Sequence, residues 1–180
     1  DFVQRGAPAI IDKYCRAEMA LLCGADLVIE LPAVWAVSSA EDFAMAGVTL
    51  FDKMGCIDGI CFGAESDQLP QLKSIAGVLA EEPDIYRSAL SSYLKKGLAF
   101  PAARAAALSD YFKSTGMNFL ISILDTPNNI LAVEYLKALK RRNSAMTPIL
   151  IPRAGSGYHD TTINTPTASA SAIRAAVSNV

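Results

Sequence analysis

Four positions carry residue types that could hold a phosphate. Asn128 and Asn129 follow Thr126 and Pro127, Gly63 closes the apolar run DGICF, and Arg153 leaves the apolar run TPILIP into a glycine-rich stretch. If Pro127 opens a helix, both asparagines fall in its first turn, where unpaired backbone N–H groups and the positive end of the helix dipole favour an anion. Equally, two asparagines beside a proline can simply cap a helix. A glycine at the end of a strand lets backbone approach a ligand closely, or serves as a plain turn residue. An arginine leaving a buried strand can fork its guanidinium onto two phosphate oxygens, or form a surface salt bridge. Ser169 and Ser171 open the run SASAIRAAV; they can cap that helix or bind phosphate through hydroxyls and N–H groups.

These residues need elements to position them. Leu131, Ala132, Tyr135, Leu136 and Leu139 recur at helical spacing after the Thr126 cap and Pro127, predicting a helix over 127–142 with Glu134, Lys137 and Arg141 on its opposite face. Buried strands are predicted at 26–31, 58–62 and 147–152, each a short run rich in Val, Ile or Leu bounded by turn residues. Helices are predicted from Pro8 to Leu22, from Ser38 or Ser39 to Gly55, over 69–80, 84–96 and 102–114, and over 168–177. Residues 119–124 fit either a helix end or a strand. Early strands separated by about thirty residues, with a helix between, indicate crossover units on a parallel sheet, an α/β architecture that places ligands at the carboxyl ends of strands. A helical insert at about 69–115 interrupts the alternation.

The hydrophobic fraction of 52% and charged fraction of 19% suit a single globular domain with a full core. No apolar run approaches the roughly 20 residues needed to span a bilayer, and a cytoplasmic protein is expected. Cys15, Cys23, Cys56 and Cys61 form no CxxC pair and the single histidine, His159, is distant in sequence, so no metal site is predicted and the cysteines are expected to be reduced core thiols. A net charge of −2 argues against an overall basic surface for nucleic acid. Lys137, Lys140, Arg141 and Arg142 form the one dense basic cluster, which either contacts RNA in a salt-dependent way or compensates the carboxyl end of a helix dipole. Lys95, Lys96 and Arg104 read as a solvated face. The chain does not begin with Met and opens on what resembles a strand end, which suggests a piece of a larger protein.

Several segments, FVQRGAPAIIDKYCRAEMAL, GADLVIELP, SAEDFAMAGVTLFDKMG, FGAES, PNNILAVEYLKALKRR, IPRAGSGYHD and SASAIR, together resemble in the same order the bacterial tRNA(Met) cytidine acetate ligase family. The resemblance implies a Rossmann-like parallel sheet of the nucleotidyltransferase (HIGH-type) superfamily and an ATP-dependent ligase. Such an enzyme forms acetyl-adenylate from acetate and acetylates N4 of the wobble cytidine of elongator tRNA(Met), giving N4-acetylcytidine. It further implies ATP contacts at Gly63, Asn128 and Arg153, weaker phosphate contacts at Ser169 and Ser171, and magnesium bridging the phosphates. The family's His-x-Gly-His loop is not in this sequence, so the 180 residues are expected to lack the first strand and that loop and to be inactive alone. Two alternatives stand beside this reading: a nucleotidyltransferase adenylylating a small phosphorylated metabolite, and a non-catalytic nucleotide- or tRNA-binding relative.

Overall fold

A computed structural model describes residues 8–117, 121–152 and 170–178. It divides into two compact units, residues 38–152 and the flanking residues 1–37 with 153–180.

In the flanking unit, Asp12 starts the first helix: its carboxylate accepts hydrogen bonds from the N–H groups of Tyr14 at 2.8 Å and Cys15 at 3.0 Å. Helix α1 therefore spans Lys13–Leu22 and begins later than Pro8, because a side-chain cap fixes the first turn where a proline only permits it. A single turn, α2 (Ala33–Ala36), follows. Between them the strand predicted at 26–31 does not form, and Leu27, Val28 and Ile29 are exposed. The run has a strand's composition, but a ladder needs a partner to pair with, and none among the described residues provides it. The last helix of this unit is Ala170–Ser178.

The larger unit begins where Ser39 accepts the Asp42 N–H, opening α3 (Ala40–Met54), and Gly55 closes it with φ of 69° in the left-handed region that glycine tolerates. Strand β1 (Gly59–Ala64) leads to α4 (Leu69–Glu81), α5 (Asp84–Lys95) and α6 (Phe100–Ser114). A 3-10 turn, Ile121–Asp125, settles the ambiguous stretch as far as it is described and delivers the chain to α7 (Pro127–Arg141) and then β2 (Thr147–Pro152). The final helix, α8, is the Ala170–Ser178 helix already given.

The two strands pair in parallel, from Gly59 opposite Thr147 to Ala64 opposite Pro152, as the crossover spacing requires. Ile60, Phe62 and Ala64 point into the core, while Cys61 and Gly63 face outward beside the half-exposed Ile149 and Ile151. Helix α7 is the hub, packed against α3, α4 and β1. Ala132, Val133, Leu136, Ala138 and Leu139 are buried, and each large side chain contributes roughly 1.5–3 kcal/mol of burial. Helix α5 packs on α6, and α6 meets the 3-10 turn.

Two further expectations fail. Glu134 and Lys137 are buried, not on a solvent face, because α7 is surrounded on more than one side. All four cysteines are free, as expected, but exposed and therefore not core thiols; Cys61 lies on the outward face of β1 because the strand alternates.

Candidate nucleotide-binding edge

The carboxyl end of β1 and the amino end of α7 meet through one carboxylate. Glu65, the residue after β1, accepts a hydrogen bond from the Asn128 side-chain Nδ2 at 2.7 Å and another from the Asn129 backbone N–H at 3.0 Å. An anion at the first turn of a helix is stabilised by those unpaired N–H groups and by the dipole. Burial pushes the Glu65 carboxyl up, but the hydrogen bonds from Asn128 and the backbone outweigh it and hold the group below its ordinary value. It is an ionised, built-in helix cap.

Asn129 closes the joint from the other side. Its side-chain oxygen accepts the N–H groups of Glu65 at 2.9 Å and Ser66 at 3.2 Å, and its Nδ2 donates to the Ile123 carbonyl at 2.9 Å. The side chain is buried, with both oxygen lone pairs and one of its two N–H groups used. Its task is to hold the turn after β1 against the turn before α7. Asn128 is half-buried and spends only its nitrogen.

Of the two readings of the first turn of α7, the geometry favours capping: Glu65 accepts the Asn129 N–H there. Sequence reasoning passed over this residue, although the acid directly after Gly63-Ala64 in FGAES was a readable signal, since a carboxylate leaving a strand end can reach a neighbouring helix start. Gly63 lies within β1 opposite Ile151 with its position exposed, two residues from Glu65, so Gly63 and Asn128 do belong to one edge. Arg153 and Ser169 lie outside the described residues; Ser171 falls in the first turn of α8.

The basic cluster is paired with acids. Lys137 bridges Glu134 and Glu41, Lys140 meets Glu81 at 2.7 Å, Arg141 contacts Glu41 at 2.8 Å and the Leu79 carbonyl at 3.3 Å, and Arg142 meets Asp52, whose other oxygen accepts the Ser144 hydroxyl. Arg104, read as part of a solvated face, instead turns inward and bonds Glu134 at 3.1 Å. Lys137 is only 5% exposed, whereas Lys140 and Arg141 keep part of their side chains in solvent. Among the described residues no group of three His, Cys, Asp or Glu side chains could hold a metal ion, and no helix is long and apolar enough to cross a membrane.

A parallel strand pair joined by a crossover, with a strand end and a helix start clasped at one edge, is the architecture of Rossmann-like α/β proteins. The HIGH Nucleotidyl Transferase family matches residues 1–180, and the chain belongs to it. Among curated relatives it is 46% identical over 179 residues to the tRNA(Met) cytidine acetate ligase of Clostridium novyi, covering 99% of this chain and 44% of that protein. It is 51% identical over 174 residues to the protein of the same name from Thermoanaerobacter sp., covering 97% and 43%. Of solved structures, Thermotoga maritima TmcAL in its apo form I superposes with a TM-score of 0.95 at 40% identity, over 99% of this chain and 42% of that one. The same protein bound with alpha-thio ATP superposes with a TM-score of 0.91 at 39% identity, over 99% and 41%. The chain therefore spans less than half the length of these relatives.

Proposed function

We propose that this chain is the nucleotide-binding part of an ATP-dependent ligase that activates acetate as acetyl-adenylate and transfers the acetyl group to N4 of the wobble cytidine of elongator tRNA(Met). The observation that carries the reading is the match, over nearly the whole chain, both to relatives named tRNA(Met) cytidine acetate ligase and to a structure holding an ATP analogue. Gly63 and Asn128 contribute to the ATP site from the edge built by β1 and α7. Arg153, which follows β2 directly in sequence, supplies a guanidinium to the phosphates, with Ser169 and Ser171 as further phosphate donors.

Adenylation displaces pyrophosphate from the α-phosphate, and the protein's part is to align acetate and to meet the phosphate charge with fixed donors. The cytidine N4 amine then attacks the carbonyl carbon of acetyl-adenylate; the N–C bond forms, the C–O bond to the phosphate breaks to release AMP, and the amine loses one proton. Magnesium is expected with the ATP and would neutralise charge on its phosphates. For tRNA, Lys140 and Arg141 are the members of the basic cluster with accessible charge. Lys137 and Arg142 support them by neutralising Glu41 and Asp52.

The test is direct. Full-length protein incubated with ATP, acetate and unmodified elongator tRNA(Met) is expected to yield N4-acetylcytidine at the wobble position; ATP binding with no acetylated product defeats the proposal in favour of a non-catalytic relative.

A further inference from the structure

A carboxylate can only accept hydrogen bonds, so the group Asn128 turns toward Glu65 must be its NH2, and its carbonyl oxygen is left on the other side of the amide. No described residue donates to that oxygen. An amide oxygen finds no donor on an ionised phosphate, and the second N–H of the Asn128 amide, though able to donate, sits beside the Glu65 carboxylate, whose charge disfavours a phosphate there. The oxygen finds donors on the sugar and the base: the ribose hydroxyls and the exocyclic amine of adenine. The nearest helix start is also closed to phosphate, because the Glu65 carboxylate holds the Asn129 N–H there and would repel a second anion at that distance.

We infer that Asn128 meets the nucleotide through its side-chain oxygen, accepting from a hydroxyl or amine of the nucleoside, that Glu65 is the positioning residue that fixes this orientation, and that the phosphates lie away from the amino end of α7. The inference rests on the proposed ATP binding and sharpens it. The nucleoside is read at the Gly63 and Asn128 edge, and the phosphate donors must come from elsewhere in the protein.

Binding of ATP, adenosine and inorganic tripolyphosphate to the full-length protein separates the possibilities. Asn128→Ala is expected to weaken ATP and adenosine by a common factor of about ten, the scale of one hydrogen bond to a well-fixed acceptor, while tripolyphosphate is unaffected. Comparing ATP with its 2′-deoxy, 3′-deoxy and 6-desamino analogues identifies the donor, because the Asn128→Ala penalty should vanish for the one that lacks it. Glu65→Gln, which keeps the shape and removes the charge, is expected to leave tripolyphosphate binding unchanged. Because the introduced amide can itself present an NH2 to Asn128 and let the asparagine turn over, this variant should also lose part of the ATP and adenosine affinity, and in combination with Asn128→Ala it should add nothing further. A drop in tripolyphosphate binding for Asn128→Ala as large as the drop for ATP overturns the inference. So does tighter tripolyphosphate binding by Glu65→Gln, or an Asn128→Ala penalty undiminished for all three analogues. Failure of the unmodified protein to bind ATP would instead defeat the broader proposal on which the inference stands.

Discussion

With its oxygen shared between the Glu65 and Ser66 amides and its nitrogen given to the Ile123 carbonyl, Asn129 ties the turn after β1, distant in sequence, to the 3-10 turn just before its own helix. Replacing it by alanine leaves two N–H groups and a carbonyl short of partners in a part-buried joint. With each satisfied bond contributing about 1 kcal/mol and an orphaned group costing more, a loss of about 3 kcal/mol is expected in denaturant unfolding. Asn129→Asp should be at least as damaging, since a carboxylate cannot donate to the Ile123 carbonyl and would face Glu65 with like charge. At this scale the sequence was half legible. That two asparagines begin a helix beside a strand end could be read from Pro127 and the periodicity after it. That one of them is a clasp and only the other is free to meet a ligand depends on which side of the first turn faces β1, and residue type carries no trace of that.

Helix α7 shows how an element's charged residues can be misread. Glu134 and Lys137 stand three apart, a spacing that on an isolated helix describes a solvated pair. Here α3 brings Glu41 to Lys137 and α6 brings Arg104 to Glu134, so the pair becomes part of a buried ionic chain. Truncating one member strands the others: Lys137→Ala should destabilise the protein by about 3–5 kcal/mol, as for other broken buried pairs. Replacing Glu134 and Lys137 together by Gln and Met should cost less than the sum of the two single changes, which denaturant midpoints in a double-mutant cycle would reveal. The apolar stripe of α7, the Ser39 cap of α3 and the limits of β2 followed from local pattern and are found as expected. The missing strand at 26–31 and the inward Arg104 did not, because pairing and burial are properties of the neighbours.

Across the larger unit, three acids, two on α3 and one directly after β1, are held below their ordinary values. Burial pushes Glu41 up, but Lys137 and Arg141 more than reverse it; Asp52 is lowered first by Arg142 and then by Ser144; burial pushes Glu65 up, and Asn128 and backbone N–H groups bring it down. Each has a folded-state value below that of the unfolded chain, so the unfolded form binds more protons in acid. Their contribution to stability is complete above the ordinary carboxylate values of 4.5 and 3.8 and is lost as pH falls through the lowered folded values. The denaturation midpoint should be flat near neutrality and fall steeply below about pH 4. Asp52→Asn should lower the midpoint at pH 7 while converging on the parent protein in strong acid. The same ionic ties, at the carboxyl end of α7, limit how much basic charge the unit can offer to RNA, so the proposed tRNA contact should be salt-dependent mainly through Lys140 and Arg141.

The most direct measurement is the exchange of labelled pyrophosphate into ATP by the full-length protein. Exchange that requires acetate, and that Asn128→Ala slows, is the result expected of an acetyl-adenylate-forming ligase whose nucleotide is held at the β1 and α7 edge. Exchange indifferent to acetate, or unaltered by Asn128→Ala at limiting ATP, would contradict it.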